Sequence, residues 1–444
     1  MTLAVVGSGV SGIFLSHLLA KSGYRVTLIE SAPELGGVLS GTTWGNYTLD
    51  KGCHLFESND DSLVSLVDAL APGLMQKVPV KLASYLGGML HRGSGQHSYK
   101  YLEECEKERI KEEILRNMAM TSPGVKDESV ESYIINNYGK TLSCHLKKSL
   151  EKQLQIQVSE VEQLFVIGTH LRRVFIFEDQ IARELKRNTS LDAILAAEML
   201  TQERKGSFVY YPRHGGTRAF VDYAKVTLEK QGVIIRTNTK VERISFANEE
   251  FELLDQDGNK ERVNKVIWTS EVGNLEKLLF GENRISQSLH KVPMVIYYIS
   301  VNADQISDYN FINDFEPHHY TSRVSAPGVY GNQVFNGKTY VCCEVPQKVG
   351  SPIWNNPEGY KEVIWQEALE MGMLLGSSPS SSGDWKIVKA PTSYTVSKLG
   401  YKKRYEELQS KLSIEYPGIV AFPGGTFFKA DIASFVSNVI ASIK

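Results

Sequence analysis

The residues best suited to chemistry stand at the start of the chain. Gly7-Ser8-Gly9-Val10-Ser11-Gly12 has the spacing of a phosphate cradle. Gly7 permits a tight turn out of a strand, Gly9 lets the backbone approach a pyrophosphate, and Gly12 lets a helix pack close to a strand. A helix opening at Val10, Ser11 and Gly12 would turn free N–H groups and the positive end of its dipole toward the anion. Glu30 follows at about the 20-residue spacing expected of a carboxylate that accepts hydrogen bonds from ribose hydroxyls. An acid at that position disfavours a 2′-phosphate. Together these residues predict a dinucleotide ligand.

Particular elements must hold these groups. Residues 3–6 (Leu-Ala-Val-Val) read as a short buried strand, and Ile13, Leu15, Leu18 and Leu19 as the apolar side of a helix ended by Gly23. Arg25–Glu30 reads as a second strand. A strand, glycine turn, helix and strand in this order make the glycine pattern specific. Farther on, residues 59–72 and 102–118 read as helices and 128–200 as mostly helical. Tyr210–Thr217 is rich in turn residues. A helix then runs to about Gln231, followed by short strands within 233–269. Residues 292–345 hold runs of β-branched and aromatic residues between turn signals, which predicts an antiparallel sheet. Residues 418–444 read as strand, glycine turn and helix.

Several segments, in order along the chain, resemble the FAD-dependent superfamily of amine oxidases, protoporphyrinogen oxidase, phytoene desaturase and UDP-galactopyranose mutase. Ser31-Ala-Pro-Glu-Leu-Gly36-Gly37 is similar to its double glycine after the ribose acid. Asp50-Lys-Gly52-Cys-His54-Leu55-Phe56 resembles its D-x-G-x-H segment near the flavin. Tyr211-Pro212 through Gly215-Gly216-Thr217 resembles its P-x-G-G segment, and Thr237–Val241 the strand whose valine backbone meets adenine. Gly424-Gly425 with Asp431-Ile432 resembles the C-terminal motif, where a glycine turn before a helix also suits a phosphate or ribityl chain. The resemblance implies FAD, held at Gly7, Gly9, Val10, Ser11, Gly12, Glu30, Ser31, Gly36, Gly37, Val38, Gly52, His54, Leu55, Val241, Gly424, Gly425, Asp431 and Ile432. One departure stands out. Where many relatives carry a basic residue after the double glycine, this chain has Val38.

The same resemblance implies an α/β protein. Its FAD-binding domain would be Rossmann-like, of glutathione-reductase type, with an inserted α+β substrate domain. Residues 1–80, 205–275 and 410–444 would form the cofactor domain, 81–204 the helical part of the substrate domain and 276–409 its antiparallel sheet. Flavins carry hydride chemistry themselves, so the protein supplies orientation, electrostatics and a pocket. His54 would contact the flavin or substrate. Tyr320 and Arg323 lie in a stretch similar to F-x-R-V-S-x-P segments of proteins encoded near polysaccharide genes. A guanidinium there suits a diphosphate or carboxylate. His54 and Arg323 are thus the catalytic candidates. Arg172 and Arg173 follow a mid-chain helix that faces substrate in relatives, and Tyr298 and Tyr394 could stack on a sugar or base.

Composition bounds the rest. The chain has 444 residues, 42% of them hydrophobic, with 49 basic and 51 acidic side chains and a net charge of −2. That balance argues against a dedicated nucleic-acid binder. The five cysteines, Cys53, Cys105, Cys144, Cys342 and Cys343, form no C-x-x-C pair and read as reduced thiols. No metal-ligand spacing, signal peptide or membrane span is expected, and the reading is a cytoplasmic protein acting on a small molecule. Two chemistries remain open: an FAD-dependent oxidoreductase, with a sugar-nucleotide or other anionic small molecule as a candidate substrate, and a mutase-like flavoenzyme that isomerises a sugar ring without net redox change. A flavin-binding protein without turnover is the third reading. The run Thr-Phe-Phe-Lys429 departs from the arginine- and tyrosine-rich pattern of true mutases.

Overall fold

The computed structural model describes residues 1–120, 128–163, 165, 173–198, 207–379, 381–422 and 429–443. The chain divides into two compact units. The first comprises Met1–Val78, Phe208–Leu289 and Gly400–Lys444, and the second Pro79–Ser207 and His290–Leu399. Both are mixtures of helix and strand.

The first unit is built on a five-stranded parallel sheet. Its strands lie in the order Ile234–Arg236, Arg25–Ile29, Thr2–Val6, Lys265–Trp268 and Ile419–Ala421. Thr2–Val6 sits at the centre because Leu3, Ala4, Val5 and Val6 are all apolar and can be covered on both faces. Alternation then sorts the side chains. Leu3, Val5, Leu28 and Ile267 pack under helices Val10–Lys21, Gly216–Lys230 and Lys429–Ile443. Ala4, Val6, Val266 and Trp268 pack on the other side, against the three-stranded sheet Val241–Ala247, Glu250–Asp255 and Lys260–Val263 and helix Tyr401–Glu415.

The second unit holds a seven-stranded sheet in the order Trp385–Ser397, Leu289–Asn302, Lys338–Pro346, Arg323–Ser325, Phe311–Asp314, Leu82–Leu86 and Met89–Arg92. Phe311–Asp314 pairs parallel to Leu82–Leu86, while the pairs from Leu289–Asn302 across to Phe311–Asp314 are antiparallel. The antiparallel sheet expected within 292–345 is therefore present, and strands from 82–92 and 385–397 extend it. Leu82–Leu86 and Met89–Arg92 form a local hairpin, and it joins the sheet through Phe311–Asp314, a partner far away in sequence. On one face Val295, Tyr297, Val324, Val341 and Cys343 pack with Ile364 and Trp365 of helix Lys361–Glu370. A further core joins helices Glu104–Met120 and Val130–Leu154 through Ile110, Ile134, Leu142 and Leu146 to Leu86, Phe315 and Val396.

Candidate functional site

The glycine cradle closes as the residue types require. A β-carbon at Gly12 would lie 1.9 Å from the Gly7 carbonyl oxygen, so only glycine fits there. A β-carbon at Gly9 would meet no atom within 4 Å. The bare backbone of Gly9 thus faces open space, and no side chain caps the helix that begins after it. That combination leaves the helix N-terminus available to an anion. The double glycine folds back onto this loop. Gly36 N–H donates to Ser8 O at 2.9 Å, and a β-carbon on Gly37 would stand 3.5 Å from Gly9 Cα.

Glu30 is fixed at the end of its strand. Its Oε2 accepts from Ser8 N–H at 2.9 Å and Ser8 Oγ at 2.6 Å, and its Oε1 from Ala32 N–H at 2.8 Å and Ser31 Oγ at 3.2 Å. These contacts tie the glycine loop to the strand end. A cleft of ≈ 540 Å³ opens beside it, lined by Gly7, Glu30, Ser31, Val241, Trp268 and Ser270 among others. A bare glycine backbone, an uncapped helix end and a cleft with a carboxylate on its wall fit an adenine dinucleotide.

Asp50 explains why two sequence segments occur together. It is fully buried and accepts from Tyr211 Oη at 2.5 Å, Thr217 N–H at 2.9 Å and Thr217 Oγ1 at 3.0 Å. Burial raises its carboxyl, against the lowering effect of these hydrogen bonds. The D-x-G and Y-P-x-x-G-G-T segments are therefore joined through one acid. Beyond it, Gly52 is buried and His54 is half-buried, with its Nε2 3.1 Å from Lys51 O. Leu55 O accepts from Lys429 Nζ at 2.7 Å. Val38 is 49% exposed. Lys51, not singled out in the sequence, places its Nζ 2.7 Å from Ser40 Oγ and 3.4 Å from Gly37 O. A cation thus stands against the double glycine although position 38 does not supply one. Asp431 lies in the first turn of the last helix, and Ile432 is buried in the core beneath it. Gly424, Gly425 and Arg172 lie outside the described residues.

The substrate candidates lie in the second unit. Arg323 makes a bidentate pair with Glu344 on the neighbouring strand, Nε to Oε1 at 2.8 Å and Nη2 to Oε2 at 2.7 Å. Arg173 donates to Asp192 O at 2.6 Å and to its Oδ2 at 2.9 Å. The register sets Arg323 opposite Glu344, Ser325 opposite Cys342, and Cys342 opposite Tyr298. Arg323, Ser325, Glu344, Cys342 and Tyr298 therefore share one sheet face. Tyr394 lies close enough for the charges of Glu344 and Arg323 to act on it, and burial pushes its hydroxyl well up. That hydroxyl donates to Gln153 O at 2.6 Å. Tyr298 packs edge-on to Tyr340 at 6.2 Å. Tyr320 belongs elsewhere: it packs with the core of the opposite face and stands edge-on to Tyr360 at 5.3 Å.

A mixed α/β protein with a glycine cradle, a carboxylate-walled cleft and a parallel sheet falls in the class of dinucleotide-binding flavoproteins. More particularly, the chain belongs to the family of flavin-containing amine oxidoreductases, whose model matches residues 10–303. It is an FAD-dependent oxidoreductase. The 4,4′-diapolycopen-4-al dehydrogenase of Metabacillus indicus is 21% identical over 88% of this chain and 84% of its own length. The phytoene desaturase of Cercospora nicotianae is 24% identical over 82% of this chain and 60% of its own. Among solved structures, reduced UDP-galactopyranose mutase matches with a TM-score of 0.77 at 16% identity, over 99% of this chain and 95% of its own. Among the described residues no helix is long and apolar enough to cross a membrane.

Proposed function

We propose that the protein is an FAD-dependent dehydrogenase of a largely apolar small molecule, such as an acyclic polyene. The first unit is read as a Rossmann-like FAD domain of glutathione-reductase type. Gly7, Gly9 and the helix opening at Val10 hold the pyrophosphate, with Lys51 supplying the charge that Val38 does not. Glu30 takes the ribose and Val241 the adenine. Gly52–Phe56 and the start of the last helix line the isoalloxazine. When bound, FAD accepts the hydride of the oxidation. The chain's own residues bind and orient the substrate, a task we give to the second unit.

The bidentate Arg323–Glu344 pair carries the choice of substrate class. A nucleotide sugar needs cations for its phosphates, and here the guanidinium best placed for them already has a carboxylate partner. The names of the two curated relatives, a diapolycopenal dehydrogenase and a phytoene desaturase, support the apolar reading. The test is anaerobic mixing of oxidised, FAD-loaded protein with detergent-dispersed phytoene or with UDP-galactose. Phytoene should bleach the flavin and yield a product with added double bonds. No bleaching by phytoene, together with ring isomerisation of UDP-galactose by the dithionite-reduced protein, would replace this reading by the mutase-like one.

A further inference from the structure

We propose that Gln256 is a positioning residue that decides which base the dinucleotide cleft accepts: its side chain clamps Asn238–Lys240 and thereby fixes the backbone of Val241. The inference rests on the reading of Val241 as the adenine contact.

Residues 237–240 belong to no strand; they lie between Ile234–Arg236 and Val241–Ala247. Asn238 takes a left-handed backbone, with φ of 50°, which a residue other than glycine keeps only where its surroundings hold it. The pairing of the next strand also slips at its first residue. Val241 stands opposite Asp255, but Arg243 stands opposite Leu254. Such a bulge leaves one residue unpaired and re-aims its neighbours. The cleft wall of Thr239, Lys240, Val241 and Glu242 is therefore not set by strand pairing alone.

Two sets of hydrogen bonds hold it instead. Asn238 N–H donates to Ala32 O at 3.0 Å and Thr239 N–H to Glu30 O at 2.8 Å, which ties the stretch to the residue read as the ribose acid. The second set comes from Gln256. Its Oε1 accepts from Lys240 N–H, its Nε2 donates to Asn238 O at 2.8 Å, and its own N–H donates to Lys240 O at 3.1 Å. One residue thus copies the pairing of a neighbouring strand. Its Nε2 also donates to Asp257 Oδ2 at 2.9 Å, which orients the amide. The turn that carries Gln256 is itself held: Asp255 Oδ1 accepts from Asp257 N–H and Asn259 N–H, both at 2.9 Å.

A base is told from its analogues by hydrogen bonds that the wrong one leaves unmade. Backbone groups can do this only if they stay in place. A phosphate at the glycine cradle makes no such demand on residues 238–241. Gln256 therefore bears on the choice of base and not on the pyrophosphate.

The test equilibrates FAD-loaded protein with flavin hypoxanthine dinucleotide, whose base has a carbonyl where adenine has its amino group. The bound dinucleotides are then released and counted. The exchange constant reads the base preference directly, and a glutamine that served stability alone would not move it. Gln256→Met keeps the length of the side chain and removes both of its bonds to the stretch. The preference for FAD should fall by about threefold or more, the scale of one hydrogen bond; a smaller fall overturns the proposal. If that variant retains no dinucleotide, Gln256→Glu decides by the same threshold, because it keeps the acceptor for Lys240 N–H and loses the donor to Asn238 O. Failure of the underlying reading shows separately: a parent that takes both dinucleotides equally removes Val241 from the adenine, and the proposal with it.

Discussion

Glu30 and Asp50 in the first unit accept hydrogen bonds from backbone N–H groups and hydroxyls, whereas in the second unit Arg323 pairs with Glu344 and His319 with Asp314. The first arrangement uses acids to shape backbone. Ser8, Ala32 and Thr217 are held by carboxylates, and the glycine loop they frame keeps its own surface open. The second arrangement pairs charges internally. A site built on backbone suits a ligand whose recognised part never varies, such as a pyrophosphate.

The largest expected effect breaks the first half of this comparison. Gly12→Val would drive a β-carbon into the Gly7 carbonyl, at 1.9 Å before any relaxation. It should cost at least about 3 kcal/mol, and the purified protein should carry no flavin. Gly9→Ala tests the same loop without that collision, because its β-carbon meets nothing. Its thermal midpoint should match the parent while FAD affinity drops about tenfold or more, the scale of one lost charge-assisted contact. If both variants lose stability alike, the open space at Gly9 has no bearing on the ligand.

A smaller effect sharpens the second half. Arg323→Ala leaves Glu344 buried without its guanidinium and should cost about 3 kcal/mol in urea unfolding. Glu344→Ala should cost a similar amount, and the double variant clearly less than the sum. The same Arg323→Ala should leave phytoene affinity nearly unchanged if the guanidinium serves the fold. Intact stability with weakened binding of an anionic substrate would return Arg323 to the site.

How much could be read in advance follows from the range of each interaction. The cradle lies within thirty residues, and its requirements are local: a turn, a bare backbone and a strand end. The first two parallel strands were legible for the same reason, since the cradle joins them directly. Asp50 was visible as part of a D-x-G segment, but its bond to Tyr211 spans 161 positions, so its structural task was not. Lys51 carried no signal, since a lysine beside a turn is usually solvated; only the fold sets it against Gly37. Arg323 shows a different limit. Its residue type suits an anion, but the strand register that places Glu344 opposite it is set by hydrophobic alternation, which no short motif reveals.

The smallest effect concerns His319, where the second unit's internal pairing is most complete. Its Nδ1 lies 2.7 Å from Asp314 Oδ2 and its Nε2 3.2 Å from Glu370 Oε2, while Tyr85 stacks on the ring at 5.6 Å. Lys152, Glu316 and Glu367 also surround it. Burial alone would lower its pKa, but the hydrogen bond and charge of Asp314 outweigh that and raise it. Only the imidazolium donates to both carboxylates at once. A raised histidine contributes stability that is full below the unfolded value of about 6.5 and is lost as pH rises through the folded value. The parent's unfolding midpoint should therefore decline across that window more steeply than that of His319→Gln, which has no charge to lose. Parallel pH profiles for the two proteins would mean that the ring is neutral in the fold and that the charge of Asp314 is met by Lys152, with the Glu316 N–H as its hydrogen-bond donor.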